Sequence, residues 1–376
     1  MNEQAAWVGI FAQGIKQFRA VSAESKRILV APLNWGLGHA TRCIPLIRAL
    51  QEQGAAVVIA SDGRALELLK HEFPLLPAYE LPGYNIQYRT ANMVGNMAVQ
   101  LPKISRAVYL EHRRTEELTN LLRLDGILSD NRYGCFTKKI PCVFLTHQCR
   151  ILTPSPALSG IVNFFNRQFM RQFSECWIPD VEAGAGLSGE LSHGFFQKNA
   201  RYVGALSRMV FFKTEKKYDA IAVLSGPEPQ RTQFERAIIE QAAKLPYRFL
   251  IVLGKTNEPA QRYFIHKHIE VATFLTSKEL NSALSASGIF IGRSGYSTIM
   301  DLAMLGTKAL LVPTPGQTEQ EYLAEKFRRE GIFAVQQQSE LDLRSGLEAA
   351  AAGSGLKANY FDEKAVEEAL RMFLTG

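Results

Sequence analysis

The 376 residues hold no Cys-x-x-Cys pair, no block of like charge and no low-complexity segment beyond the short Ala349 to Ala352 run. No uninterrupted apolar run approaches the roughly 18 residues that a bilayer crossing needs. The five cysteines, Cys43, Cys135, Cys142, Cys149 and Cys176, are odd in number and lack metal-ligand spacing, which argues against a disulfide framework or a zinc site. They read as free core thiols. His266 and His268 alternate without further ligand spacing, so neither a metal nor a cofactor is expected. With 47% hydrophobic and 21% charged residues, the chain is neither disordered nor fibrous. Lysine and arginine number 43 against 36 acidic residues, and the resulting +7 is spread along the chain. That balance favours anionic partners but marks no nucleic acid among them.

The start, Trp7 to Phe18, is interrupted by Gln13, Lys16 and Gln17 and has no basic segment before it, so an export signal is rejected. Trp7, Ile10, Phe11, Ile15 and Phe18 fall near helical spacing. Two readings of residues 1–26 stand: an amphipathic leader helix lying on a membrane or a partner, or a disordered or wrongly assigned start. The expected location is the cytoplasm, at the inner face of the membrane under the first reading.

The length suits two domains of about 150 to 190 residues. From Arg27 onward, short apolar strands alternate with longer helical stretches, the pattern of a parallel α/β sheet. Ile28 to Ala31, a helix from about Thr41 to Gln53, the stop at Gly54 and Ala56 to Ala60 form a βαβ unit. Strands at Gly126 to Ser129, Cys142 to Thr146 and Cys176 to Ile178 complete a first domain, 27–206. The basic, aperiodic stretch from Ser207 to Lys217 is the expected linker. A second domain, 218–358, repeats the scheme with strands at Ala220 to Leu224, Phe249 to Leu253, Ile269 to Phe274, Gly288 to Ile291 and Ala309 to Val312. The final piece, 359–376, carries Val366, Ala369, Leu370 and Phe373 on one helical stripe, suited to packing back across the first domain. The fold class is therefore α/β, with two Rossmann-like doubly wound domains facing each other across a cleft.

Ligands of such sheets bind at the carboxyl edge of the strands. At that edge the first strand runs into Asn34-Trp35-Gly36-Leu37-Gly38-His39, where Gly36 and Gly38 let a ligand approach the backbone and His39 sits near a helix N-terminus. The second domain offers Gly292-Arg293-Ser294-Gly295-Tyr296-Ser297-Thr298 between a strand and a helix, suited to a diphosphate. Asp301 lies one turn further, where a carboxylate accepts ribose hydroxyls. The loop from Thr314 through Gln317 and Glu319 to Gln320 and Glu321 delivers polar groups to the same edge. Ser225-Gly226 with Arg231 is a further diphosphate contact or a simple turn. Asp130 reads as base, acceptor anchor or turn residue, Arg132 as an acceptor contact, and His147 as an acceptor contact or a structural histidine.

These motifs resemble those of the GT-B glycosyltransferases of family 28, the group that includes the peptidoglycan lipid-linked N-acetylglucosaminyltransferases. The resemblance covers roughly residues 27–345 and is strongest at Gly36-Leu37-Gly38-His39 and from Arg293 through Gly306 to Gln320. It implies inverting transfer from a nucleotide-sugar, most simply a UDP-sugar such as UDP-N-acetylglucosamine, to a lipid-linked or glycan acceptor, with peripheral membrane contact. Asp301 stands where the family's ribose-binding acid stands, usually a glutamate. Gln320 stands where a glutamine touches the sugar, and Glu321 replaces a second glutamine. Gly36, Gly38, Ser225, Arg293, Ser294, Gly295, Tyr296, Ser297 and Gln317 would complete the donor site, with His39 or Asp130 as base. The opening Gly36 to Cys43 also resembles UDP-sugar hydrolases of nonulosonic acid pathways. Those typically lack acceptor segments such as this chain's Tyr84 to Arg114 and Leu152 to Phe173, which favours transfer over hydrolysis. Nucleotide-sugar epimerases of the same fold, and a regulatory subunit that binds nucleotide-sugar without turnover, are the remaining alternatives.

Overall fold

The computed structural model describes residues 25–84, 93–153, 155–194, 197–256 and 258–376. The proposed leader helix lies outside them. Among the described residues two seven-stranded sheets form. The first orders its strands β3-β2-β1-β4-β5-β6-β7, with β1 Arg27–Pro32, β2 Ala56–Ser61, β3 Ala78–Glu80, β4 Gly126–Asp130, β5 Cys142–Leu145, β6 Glu175–Ile178 and β7 Ala200–Tyr202. All its pairs are parallel, with Ile28 opposite Val57 on one side and Val30 opposite Leu128 on the other. The second runs β10-β11-β9-β8-β12-β13-β14, with β8 Tyr218–Val223, β9 Phe249–Val252, β10 Arg262–His266, β11 Ile269–Ala272, β12 Ser287–Gly292, β13 Lys308–Leu311 and β14 Ala334–Val335. Only β10 is antiparallel there. β3, β7, β10 and β14 are short strands toward or at the sheet edges that the apolar pattern did not announce.

The order of each sheet reverses between neighbouring strands, β1 and β4 in one, β8 and β12 in the other. Loops leaving such a pair diverge and open a crevice. The helices that follow are α1 Gly38–Glu52, α2 Gly63–Glu72, α3 Met93–Leu122, α4 Pro156–Met170, α5 Gln230–Ala242, α6 Ser277–Ser285, α7 Tyr296–Leu305, α8 Thr318–Arg329, α9 Leu343–Ala352 and α10 Glu363–Thr375. α1 forms because Ala40, Cys43, Ile44, Ile47 and Leu50 repeat at helical spacing and bury one face. Gly306 at φ +62° ends α7, since a side chain there would strain the left-handed turn. The C-terminal α10 returns to the first domain: Phe373 meets the Trp177 ring edge-on at 5.9 Å, and a Cβ on Gly126 would fall 2.6 Å from the Phe373 ring. Ala369, Leu370 and Phe373 are buried by this return, which contributes roughly 1.5 to 3 kcal/mol for each of the two larger side chains.

Candidate active site

The loop after β1 turns at Gly36, φ +80°, and feeds α1, whose N-terminus has no side-chain cap. The α7 N-terminus opposite it is likewise uncapped, with Gly295 at the cap position facing open space. Free amides and the helix dipole make such an end a place for anions. The two loops touch in this structure: Ser297 Oγ donates to the Gly38 carbonyl at 2.8 Å, and a Cβ on Gly38 would sit 2.9 Å from Ser297 Oγ.

On the first-domain side, β1 and β4 are paired neighbours, so His39 and Asp130 meet although 91 residues separate them. His39 Nδ1 lies 2.8 Å from Asp130 Oδ1. Arg42 Nη2, which can only donate, lies 3.0 Å from the same nitrogen, so an acceptor and a donor both face His39 Nδ1. Arg42, one turn along α1, donates from Nε to Asp130 Oδ2 at 2.6 Å and from Nη2 to Oδ1. Asp130 is fully buried. Burial alone would raise its carboxyl, but Arg42 and His39 bring it down to about 2. It therefore stays an anion near neutral pH, turned inward to Arg42 and His39.

His147 follows β5 and is 3% exposed. Arg42 Nη1 can only donate, so His147 Nδ1 accepts at 2.8 Å, and its protonated Nε2 donates to Glu319 Oε1 of the second domain at 3.1 Å. Gln148 Nε2 donates to Glu319 Oε2 as well. The His147 ring stacks on Tyr296 with centroids 4.1 Å apart and planes 6° from parallel, while Tyr296 donates to the Pro179 carbonyl at 2.8 Å. Burial holds the His147 imidazole below its ordinary value, and Glu319 acts against that shift. His147 is thus a bridge between the domains.

Two arginines expected at ligands are also withdrawn from the cleft. Arg132 is fully buried, donating to Glu111 Oε1 at 2.5 Å, to Asp62 Oδ1 at 2.7 Å and to the Pro32 and Pro82 carbonyls. Arg293, 2% exposed, donates to the carbonyls of Val312, Pro313, Gln230 and Ser225 and to Gln338 Oε1, and lies 4.3 Å from the Phe234 ring centroid. Burial without a carboxylate partner lowers its guanidinium to about 10. It fixes the loops after β8, β12 and β13 from behind.

The remaining donor-side residues gather at those three loops. Ser225 is exposed after β8, next to Gly226 at φ +112°. Ser294 Oγ donates to the Gln320 carbonyl at 2.7 Å, and Gln320 Oε1 accepts from the Thr314 amide at 2.8 Å. Glu321 Oε1 accepts from the Gly316 amide at 2.8 Å, and Gln317 stands at the N-cap of α8. Asp301 faces the linker: its Oδ1 accepts from Ser207 Oγ at 2.6 Å. Burial pushes its carboxyl up to about 6, against the pull of Arg208 and Ser207. Arg231 pairs with Glu228 and Glu235, each at 2.8 Å. Arg42, Glu319 and Ser207 had not been singled out as site residues; Arg42 alone carried a signal, its position three residues after His39 on one helical face.

Residues 220–369 match the glycosyltransferase family 28 C-terminal domain. An uncharacterized glycosyltransferase of Methanosarcina mazei is 21% identical over 331 residues, covering 81% of this chain and 84% of its own. The UDP-N-acetylglucosamine–N-acetylmuramyl-(pentapeptide) pyrophosphoryl-undecaprenol N-acetylglucosamine transferase of Methylobacterium nodulans is 22% identical over 306 residues, 76% of this chain and 77% of its own. The crystal structure of Acinetobacter baumannii MurG superposes with a TM-score of 0.55 at 13% identity, covering 93% of this chain and all of that one. With two parallel-sheet domains meeting at paired glycine-rich loops, the protein is a glycosyltransferase of the GT-B fold. Within that class its second domain matches the family 28 C-terminal domain.

Proposed function

We propose that the protein transfers a sugar, with inversion, from a UDP-sugar such as UDP-N-acetylglucosamine to a lipid-linked or glycan acceptor. The observation that carries this reading is the opposition of the His39–Asp130 pair to the uncapped N-terminus of α7 across the contact between Gly38 and Ser297. His39 Nε2 takes the proton of the acceptor hydroxyl, whose oxygen attacks the anomeric carbon as the bond to the diphosphate breaks. Asp130 stabilises the imidazolium so formed. The departing negative charge falls on the α7 amides near Gly295 to Thr298, with Ser225, Gln317 and Gln320 around it and Asp301 on the ribose. Because the loops touch, donor entry requires opening and turnover requires reclosure, which also keeps water from the anomeric carbon.

The acceptor reading is supported by α4, where Ile161, Phe164, Phe165 and Phe169 are exposed beside Arg167 and Arg171, a pattern suited to an anionic lipid surface. Phe173, by contrast, belongs to the core. Among the described residues no helix is long and apolar enough to cross a membrane, so contact would be peripheral. The test is nucleotide release from UDP-N-acetylglucosamine and other UDP-, GDP- and dTDP-sugars, with and without membrane extract as acceptor. Release should be slow with donor alone and accelerated by acceptor. Rapid release that no acceptor accelerates would identify a hydrolase. Nucleotide binding without turnover would identify a regulatory subunit. His39→Ala should lower kcat by about 10²- to 10⁴-fold while UDP binding persists; full activity in that variant removes His39 as the base.

A further inference from the structure

We propose that Ser207 of the interdomain linker is a specificity-determining residue for the donor: by holding one oxygen of Asp301, it leaves that carboxylate a single ribose hydroxyl to read. The inference deepens the reading that places Asp301 on the ribose, and rests on it. Asp301 lies in the second turn of α7, beyond the uncapped end proposed for the diphosphate. Its Oδ1 accepts from Ser207 Oγ at 2.6 Å, and among the described residues nothing donates to Oδ2. A vicinal diol grips a carboxylate best with one hydroxyl on each oxygen, much as a guanidinium fork does. Here one of those two places is taken by the chain itself.

Ser207 is held in place because its neighbours tie the linker to two helices. A hydroxyl has one proton to give. Ser207 Oγ gives it to Asp301 and accepts from the Met209 amide at 3.0 Å, so the side chain is fixed from both sides. The Leu206 amide points to Met300 Sδ on α7 at 3.2 Å. Val210 exchanges two hydrogen bonds with the Asn281 side chain on α6, its amide donating at 3.2 Å and its carbonyl accepting at 3.0 Å. Arg208 turns to α6 as well, donating from Nη1 to Ser277 Oγ at 2.9 Å, so the cation beside Ser207 is engaged there. Leu206 and Met209 are buried.

The consequence is a donor class. A site that reads both hydroxyls rejects either monodeoxynucleotide, since each has lost a hydrogen bond to a charged group. A site that reads one rejects only the analogue lacking that hydroxyl, and takes the other as readily as the ribonucleotide. The nucleoside diphosphate sugars accepted by this chain therefore extend to one deoxyribose series.

The test is calorimetry on the full chain with UDP, 2′-deoxy-UDP and 3′-deoxy-UDP. In the wild type, one analogue should bind within about threefold of UDP and the other about tenfold or more weaker. Ser207→Ala frees Oδ1, so the tolerated analogue should then fall about tenfold behind UDP. Ser207→Thr, which keeps the hydroxyl, should behave as wild type. Thermal melting identifies the variants that fold, and the wild-type comparison stands without any of them. Both analogues weakened about tenfold in the wild type, or wild-type ratios in a folded Ser207→Ala, would overturn the proposal. Asp301→Ala separates that failure from failure of the underlying reading: it should bind the three nucleotides alike and weakly. Equal binding of all three by the wild type, or unchanged UDP affinity in Asp301→Ala, removes Asp301 from the ribose and the proposal with it. Failure of all three to bind the wild type sinks the donor reading itself.

Discussion

Replacing Asp130 by asparagine perturbs fold and chemistry through one carboxylate. The group is fully buried, accepts from Arg42 Nε at 2.6 Å, lies 2.8 Å from His39 Nδ1, and is depressed from its ordinary 3.8 to about 2. A depressed carboxyl favours the folded state above its unfolded value, here by roughly 2 to 3 kcal/mol, and that contribution disappears as pH falls from about 4 toward 2. Asparagine removes it near neutral pH and leaves Arg42 buried without a counter-charge, so the total loss should be about 3 to 5 kcal/mol. For a first domain of this size that is a melting decrease of roughly 6 to 20 °C by calorimetry. Wild type and variant should converge on acidification, since the wild type loses its own contribution there. An asparagine amide that donates to His39 Nδ1 moves the imidazole proton to Nε2, where an acceptor of protons is needed, and kcat should fall by about 10² to 10⁴. A variant with unchanged melting at neutral pH and unchanged kcat would refute both roles.

Asp301→Ala should raise the UDP dissociation constant about tenfold or more, since a charge-assisted hydrogen bond to ribose contributes roughly 1.5 to 3 kcal/mol; unchanged affinity by calorimetry removes this residue from the donor site. With its carboxyl at about 6, wild-type UDP affinity should weaken as pH falls through that value, and the alanine variant should lack this dependence. A raised carboxyl opposes folding once ionised, so Asp301→Asn should melt higher than wild type above that pH when no nucleotide is bound. Phe164→Ser with Phe165→Ser should reduce co-flotation with anionic vesicles at low salt while leaving the fold intact, because both rings are exposed; wild type that fails to float overturns the membrane contact.

Strand and loop identity was legible because periodicity and glycine report backbone geometry directly: β1, β4, β8 and β12 and the turns behind them fall close to where apolar runs meet Gly36, Gly38 and Gly295. The short strands β3, β7, β10 and β14 were not, since two to five residues at or toward a sheet edge carry little pattern of their own. Side-chain roles divide along a similar line. His39 and Asp130 both stood at strand ends of one edge, but that they touch depends on β1 lying beside β4. Arginine at such an edge looks like an anion contact, but Arg132 and Arg293 both turn their guanidinium groups inward for a common cause. Each has a planar fork of donors that must be satisfied when buried. Arg132 meets Glu111, Asp62 and the Pro32 and Pro82 carbonyls, and Arg293 meets carbonyls after β8 and β13 and the Gln338 side chain, so most of their donors are engaged inward. In the proposed reading the charge of a diphosphate at this edge falls to backbone amides on the loops that Arg293 ties together after β8, β12 and β13. On the proposed reading Arg293 shapes the loops around the anion without touching it, and the side chains proposed to handle the reaction's proton, His39 with Asp130, lie in the other domain.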